Sequence, residues 1–176
     1  MDIKYQIHEN FLAPDLFKKI NDLIMNRDFP WRKRDHMTQN DPSNKIYFSY
    51  CFYNDLAPKS RFYEPFIIPV LKKLQAEAPI QVRVNMTISA LFEASNWHCD
   101  YPSDLKITWK TFKCKSAILY LNDCDGGTEL KINNKIIFIK ADANKMLVFD
   151  NDILHRAITS KNAPIRYIIN FNYFTS

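Results

Sequence analysis

The sequence predicts a mainly β protein, a barrel or jelly roll backed by N-terminal helices. Three observations carry this. From about residue 80 onward the chain breaks into six to eight short apolar, β-branched or aromatic runs. Polar turn clusters (DCDGG, NN, ADAN, DND and KNAP) separate those runs. Both stretches with helical periodicity lie before residue 80. A chain of 176 residues suits one domain, with helical support over about 1–79 and a jelly-roll core over about 80–176.

Taken in order, residues 11–25 are amphipathic, with Leu12, Leu16, Ile20 and Leu23 or Ile24 at helical spacing and Pro14 at the first turn. Residues 27–44 are polar and read as a loop. Residues 45–53, KIYFSYCFY, read as a strand. Residues 60–77 read as a second helix that ends before Pro79. Strands follow at QVRVNMTISALF, at 115–122, within 131–140, at 144–150 and at 166–174. There are no internal repeats.

Composition removes several functions. The chain has two glycines, Gly126 and Gly127, where average usage would give about twelve. A dinucleotide fingerprint, a P-loop and a nucleophile elbow all need spaced glycines, so none can be built. The adjacent pair marks a backbone position that needs positive φ or close approach. Net charge is +5, which favours anionic partners but is too diffuse to argue nucleic-acid binding alone. Four cysteines form no C-x-x-C pair, and free thiols are expected. The N-terminus lacks an apolar run and no membrane span is visible, so a cytoplasmic setting is expected.

Four histidines are present. His8 and His36 read as surface residues. His98 lies in WHCD, two positions before Asp100, and on a strand residues i and i+2 share a face. His155 follows in DNDILHRAI. Two imidazoles and one carboxylate form the ligand set of a mononuclear non-haem iron site with open positions. By itself the pattern fits equally a surface His–Asp contact and an unrelated core histidine. Arg166 opens RYIINFNYF, where alternation places Arg166, Ile168, Asn170 and Asn172 on one face. A guanidinium on an interior strand needs an anion, and its fork matches a carboxylate. Asp123 and Asp125 read as turn caps. Asp150 and Asp152 bracket a turn, where either is placed to orient His155.

His98-Cys99-Asp100, AILYLND (117–123), GGTEL (126–130), NKMLVFDNDILHRA (144–157) and RYIINFNYF (166–174) follow one another in a familiar order. Over roughly residues 80–174 the chain resembles the 2-oxoglutarate- and Fe(II)-dependent oxygenases, in their prolyl 4-hydroxylase-like branch. The resemblance implies a double-stranded β-helix, a cupin-like jelly roll. It implies that His98, Asp100 and His155 bind Fe(II), and that Tyr120 and Arg166 hold the far carboxylate of 2-oxoglutarate. Asn85 and Asn170 are further candidates for contact with that co-substrate, and Asn172 shares their face. The implied reaction consumes O2 and 2-oxoglutarate, releases succinate and CO2, and hydroxylates a C–H bond, with ascorbate as a supporting reductant.

The branch favours a peptidyl substrate, most simply proline. A small molecule or nucleobase, and a non-catalytic jelly-roll binding module, are the other two readings. Residues 101–114 carry Lys106, Lys110 and Lys113 around Trp109 and Phe112. They read as a solvated loop, as a substrate-covering loop, or as a single-stranded nucleic-acid contact, a partner the resemblance does not favour. The loop with Trp31, Arg32 and Arg34 has the same status.

Overall fold

The computed structural model describes residues 4–35, 45–100 and 113–175. His36 and most of the 101–114 segment, with its covering-loop and nucleic-acid readings, lie outside the described residues. The elements run β1 (Tyr5–His8), α1 (Pro14–Ile24), β2 (Arg32–Arg34), β3 (Tyr47–Asn54), β4 (Ala57–Pro58), a π-helical turn (Tyr63–Ile67) and α2 (Ile68–Lys73). There follow β5 (Ala78–Ile88), β6 (Lys113–Tyr120), β7 (Gly127–Ile132), β8 (Lys135–Lys140), β9 (Met146–Asp150), β10 (Leu154–Ile158) and β11 (Ile165–Thr175).

Two antiparallel sheets face each other, as in a jelly roll. The major sheet has eight strands, in the order β1-β9-β6-β11-β5-β3-β2, with β4 beside β3. The minor sheet has three, in the order β10-β7-β8. The first 79 residues are therefore more than helical support, because β1, β2 and β3 extend the major sheet at both edges. The stretch read as a loop at 27–44 holds β2. Its charged sequence RKR hides it, since edge strands often carry charge that discourages further pairing.

Strand alternation divides the major sheet chemically. Ile169 and Phe171 on β11, Val82 and Val84 on β5, and Ala117 and Leu119 on β6 join the helices in one core. Ile20 and Ile24 of α1 complete that layer, so the apolar stripe of the helix covers the outer face of the sheet. Ile168, Ile118, Tyr120, Leu147 and Phe149 point the other way and meet Leu130 and Ile139 of the minor sheet. The polar positions read from RYIINFNYF belong to this inner face. Burial of Arg166, Asn170 and Asn172 to 8% exposure or less follows from the sheet-on-sheet packing.

A chain almost without glycine makes its left-handed positions largely from asparagine. Asn10, Asn133, Asn134 and Asn144 all have positive φ, the backbone region asparagine tolerates best after glycine. The Asn133-Asn134 pair forms the tight β7–β8 connection. The second predicted helix is shorter than the sequence suggests. Pro65 and Pro69 break its start into a π-helical turn, and the chain leaves α2 through Gln75 at φ 55°. Among the described residues no helix is long and apolar enough to cross a membrane.

Candidate metal centre and a buried arginine

His98 and His155 are brought together by a backbone zipper. Residues 92–98 run antiparallel to β10. Thr159 N–H donates to Glu93 O (2.9 Å), Ser95 N–H to Ala157 O (2.9 Å), His98 N–H to His155 O (3.0 Å), and His155 N–H to His98 O (2.9 Å). Ser95 Oγ also accepts from Ala157 N–H at 2.9 Å. Outside the zipper, Arg156 donates to Glu129 (2.6 Å) and lies 4.6 Å over the Trp97 ring. The residues next to both histidines are thus pinned outward, and the imidazoles turn inward with ring centroids 4.4 Å apart.

Each imidazole is oriented by a carbonyl. Nδ1 of His98 meets Asn96 O at 2.9 Å, and Nδ1 of His155 meets Ile153 O at 3.0 Å. A proton on Nδ1 satisfies those carbonyls and leaves the Nε2 lone pair toward the centre. There Asp100 Oδ1 lies 3.5 Å from Nε2 of His155 and 4.0 Å from Nε2 of His98. One ligand atom from each residue falls within 4.8 Å of the others, a group that can hold a metal ion.

The second carboxylate oxygen is tied away from that centre. Asp100 Oδ2 accepts from Ser116 Oγ (2.8 Å) and from Asn170 Nδ2 (3.2 Å). Asn172 Nδ2 donates to Asn170 Oδ1 at 3.0 Å, and Asn172 Oδ1 lies 2.9 Å from Ser116 Oγ. The four polar groups form a buried ring that turns Asp100 edge-on, with Oδ1 alone facing the histidines. Asn170, a candidate for co-substrate contact, gives one amide N–H to Asp100 and accepts from Asn172, because β11 places it under the carboxylate. Asp150 and Asp152 do not orient His155, which takes its partner from Ile153. Asp150 pairs with Lys115, and the Asp152 carbonyl accepts from Cys99 Sγ.

Burial and attraction compete at these groups. Burial alone pushes the Asp100 carboxyl up, but the two imidazoles and the Ser116 hydrogen bond outweigh it and hold it well below the usual range. Burial lowers His98, and the neighbouring His155 lowers it further. His155 moves the other way: burial opposes its charge, but the nearer Asp100 carboxylate wins and raises it. Without a metal, any proton in this cluster therefore resides on His155.

Arg166 lies in the same space between the sheets. Its side chain is among the largest fully buried ones. One guanidinium nitrogen donates to Thr128 Oγ1 at 3.1 Å, the group lies 5.5 Å over the Tyr120 ring, and Nε has no partner among the described residues. Tyr120 donates its hydroxyl to the same Thr128 Oγ1 at 2.8 Å. With two donors on its lone pairs, Thr128 keeps its own proton free to donate. Arg166, Tyr120 and Thr128 thus make a buried donor cluster with no acid from the described residues. Such a cation is costly unless an anion joins it.

Thr128, Ser116 and the Asn170–Asn172 pair are the residues the sequence reading underused. Thr128 belongs to GGTEL, but nothing local says that a threonine will meet an arginine 38 positions later. The glycines explain its placement. Neither has positive φ; close approach is the reason for them. A Cβ on Gly127 would overlap the Ile139 carbonyl oxygen, and one on Gly126 would lie 2.8 Å from Ile158 O. Glycine lets β7 enter between β8 and β10 and delivers Thr128 to Arg166.

The remaining candidates fall as follows. Asn85 pairs in register with Ile168 and faces the inter-sheet space, with Oδ1 buried and unpartnered among the described residues. His8 is exposed beside Phe11. Asp123 and Asp125 cap backbone amides at Ala143, Lys161 and Asn162. All four cysteines are free.

No family model matches the sequence, and no curated protein does. Solved structures do match. A prolyl hydroxylase from Trichoplax adhaerens, in complex with a hypoxia inducible factor peptide fragment, aligns with TM-score 0.69 and 17% identity, over 97% of this chain and 83% of its own. A 2OG-Fe(II) oxygenase family oxidoreductase from Burkholderia pseudomallei aligns with TM-score 0.73 and 11% identity, over 98% and 86%. The non-haem α-ketoglutarate-dependent epimerase SnoN of nogalamycin biosynthesis aligns with TM-score 0.64 and 10% identity, over 97% and 77%. The chain has the jelly-roll fold of the 2-oxoglutarate- and Fe(II)-dependent oxygenases, prolyl hydroxylases among them, and holds a His–Asp–His cluster and a buried arginine between its sheets.

Proposed function

We propose that the protein is a single-domain oxygenase, dependent on Fe(II) and 2-oxoglutarate, that hydroxylates a C–H bond of a peptidyl substrate, most simply a prolyl residue. One observation carries the reading: a fully buried arginine with a stranded donor shares the inter-sheet space with a three-ligand cluster. A structural histidine–aspartate contact does not need that arginine, and a carboxylate-bearing co-substrate does. The peptide-bound neighbour supports the peptidyl reading.

The donor set fits Fe(II): two neutral imidazoles suit the metal, and one carboxylate offsets part of its charge. His98, Asp100 and His155 would hold it, and Arg166 and Tyr120, with Thr128, would hold the far carboxylate of 2-oxoglutarate. When bound, the metal supplies the oxidising chemistry that couples decarboxylation to C–H hydroxylation. The chain's own work is positional. Asn96 and Ile153 carbonyls fix the imidazole tautomers. Ser116 and Asn170 keep one Asp100 oxygen away from the centre, so the carboxylate presents a single ligand atom. Arg166 supplies a fixed cation in a dry site, where charge pairing is strong.

Succinate release in the presence of Fe(II), 2-oxoglutarate and ascorbate tests the reading. Pro-containing peptides, small molecules and oligonucleotides serve as candidate substrates. Turnover is expected to vanish in His98→Ala and His155→Ala. Metal binding and turnover that persist in both would sink the site assignment. Unchanged 2-oxoglutarate affinity in Arg166→Ala would remove that residue from its role.

A further inference from the structure

The inner face of the major sheet continues beyond the metal cluster onto β5, β3 and β2, and it is basic. Arg83 of β5 sits in register with Asn170, the residue that holds Asp100. Directly paired residues on neighbouring strands share a face, so Arg83 stands beside the cluster. It is half-buried and has no hydrogen bond or ion pair among the described residues. Its charge is felt by His98. On its other side it pairs with Cys51 of β3.

Two strands further out, Arg32 and Arg34 of β2 pair with Ser49 and Tyr47, which alternate with Cys51 on that face. Arg34 Nε donates to Ser49 Oγ at 3.1 Å, and both arginines are exposed. Neither β2, β3 nor β5 contains an aspartate or glutamate. Arginine is the scarcer cation here, seven against seventeen lysines. Arg32, Arg34, Arg83 and Arg166 all belong to this one face. The others are accounted for: Arg27 beside Asp28, Arg61 over Phe62, and Arg156 on Glu129.

We infer that the substrate is an acidic peptide segment, with one carboxylate on Arg83 next to the metal and further acidic groups toward Arg34 and Arg32 at the β2 edge. This rests on the oxygenase reading and narrows its substrate. The row crosses two strand spacings, roughly 10 Å, wider than one acid group spans but within the reach of an extended peptide. Guanidinium forks suit carboxylates. Single-stranded nucleic acid would need stacking rings among the cations, and among the described residues the one aromatic ring interleaved with them on this face, Tyr47, is buried at 4% exposure.

Fluorescein-labelled, Pro-containing decapeptides of one composition, with Glu, Gln or Lys at the flanking positions, test this by anisotropy, with and without Mn(II) in place of Fe(II). The Glu peptide is expected to bind about tenfold more tightly than the Gln peptide, a charge-assisted hydrogen bond's share. The Lys peptide should bind most weakly. Arg83→Gln should cut the Glu preference to the roughly threefold share of Arg32 and Arg34, and Arg83→Glu should turn it toward Lys. The exposed pair Arg32→Gln/Arg34→Gln gives a second variant that leaves the core untouched and should weaken Glu binding about threefold. Melting curves check that each variant folds. Equal binding of Glu and Gln peptides, an unchanged preference in Arg83→Glu, or tighter binding of a dT decamer than of the Glu peptide overturns the inference. The oxygenase reading fails separately, if Mn(II) with 2-oxoglutarate does not raise the melting temperature of the unaltered protein.

Discussion

Replacing Arg166 by methionine should make the metal-free protein more stable while destroying co-substrate binding. Among the described residues the side chain, 2% exposed, donates to Thr128 and lies against the Tyr120 ring and hydroxyl, with Nε left unpartnered. Stranding a buried donor costs about 1–3 kcal/mol, and burying an uncompensated cation costs several more. Methionine is of similar length and fills the space without either cost. Against this stand the lost Thr128 bond, about 1 kcal/mol, and the lost contact over the Tyr120 ring, up to about 2 kcal/mol. Thr128 still accepts from Tyr120, so no new polar group is stranded. The balance is a gain on the order of 1–3 kcal/mol, or roughly 3–9 °C in Tm for a chain of this size. Thermal melts of metal-free protein measure it. In the unaltered protein, 2-oxoglutarate with Mn(II) should raise Tm; in Arg166→Met it should not. A variant that melts lower than the parent, or that 2-oxoglutarate still stabilises, refutes the reasoning.

Gly127→Ala should destabilise by about 3 kcal/mol or more, because the added methyl meets the Ile139 backbone rather than a movable side chain; urea midpoints read this, and a change within about 0.5 kcal/mol contradicts the packing. Asn170→Ala and Ser116→Ala should each weaken Mn(II) or Ni(II) binding by about 10–100-fold, as loss of a ligand's supporting bond does. Titration calorimetry that finds parental affinity in both removes the ring from its orienting role. Metal affinity should also fall with acidity. Burial opposes the charge on His155, but the Asp100 carboxylate holds its proton above the ordinary imidazole value, so that proton competes with the metal as pH falls through the raised value. The same proton stabilises the metal-free fold at low pH, and that contribution fades as pH rises through the raised value. Calorimetry in buffers of different ionisation enthalpy should show proton release on metal uptake, and an affinity flat between about pH 6 and 8 would contradict the assignment.

Much of the fold could be read locally. Alternation in RYIINFNYF, the apolar run AILYL and the stripe Leu16-Ile20-Ile24 each declare which face is buried, since period and hydrophobicity are properties of neighbours in sequence. The charged edge strand RKR and the brief LHRAI could not be read this way. Their strand character comes from pairing partners, β3 in one case and β7 in the other. Pro65 and Pro69 stand in the sequence of the second helix, but packing decides that it begins as a π-helical turn.

The same division runs through the candidate site. The sequence by itself supplied the residue types that can hold a metal, the shared face of His98 and Asp100, and an inward Arg166, because each follows from a two-residue period and the chemistry of one side chain. Only the tertiary structure decided that His155 opposes His98 across a backbone bridge. The fold also places Asn170 under Asp100, and it has glycine admit Thr128 to Arg166. Those contacts join residues 57, 70 and 38 positions apart. Sheet register sets such distances, and no local pattern encodes it.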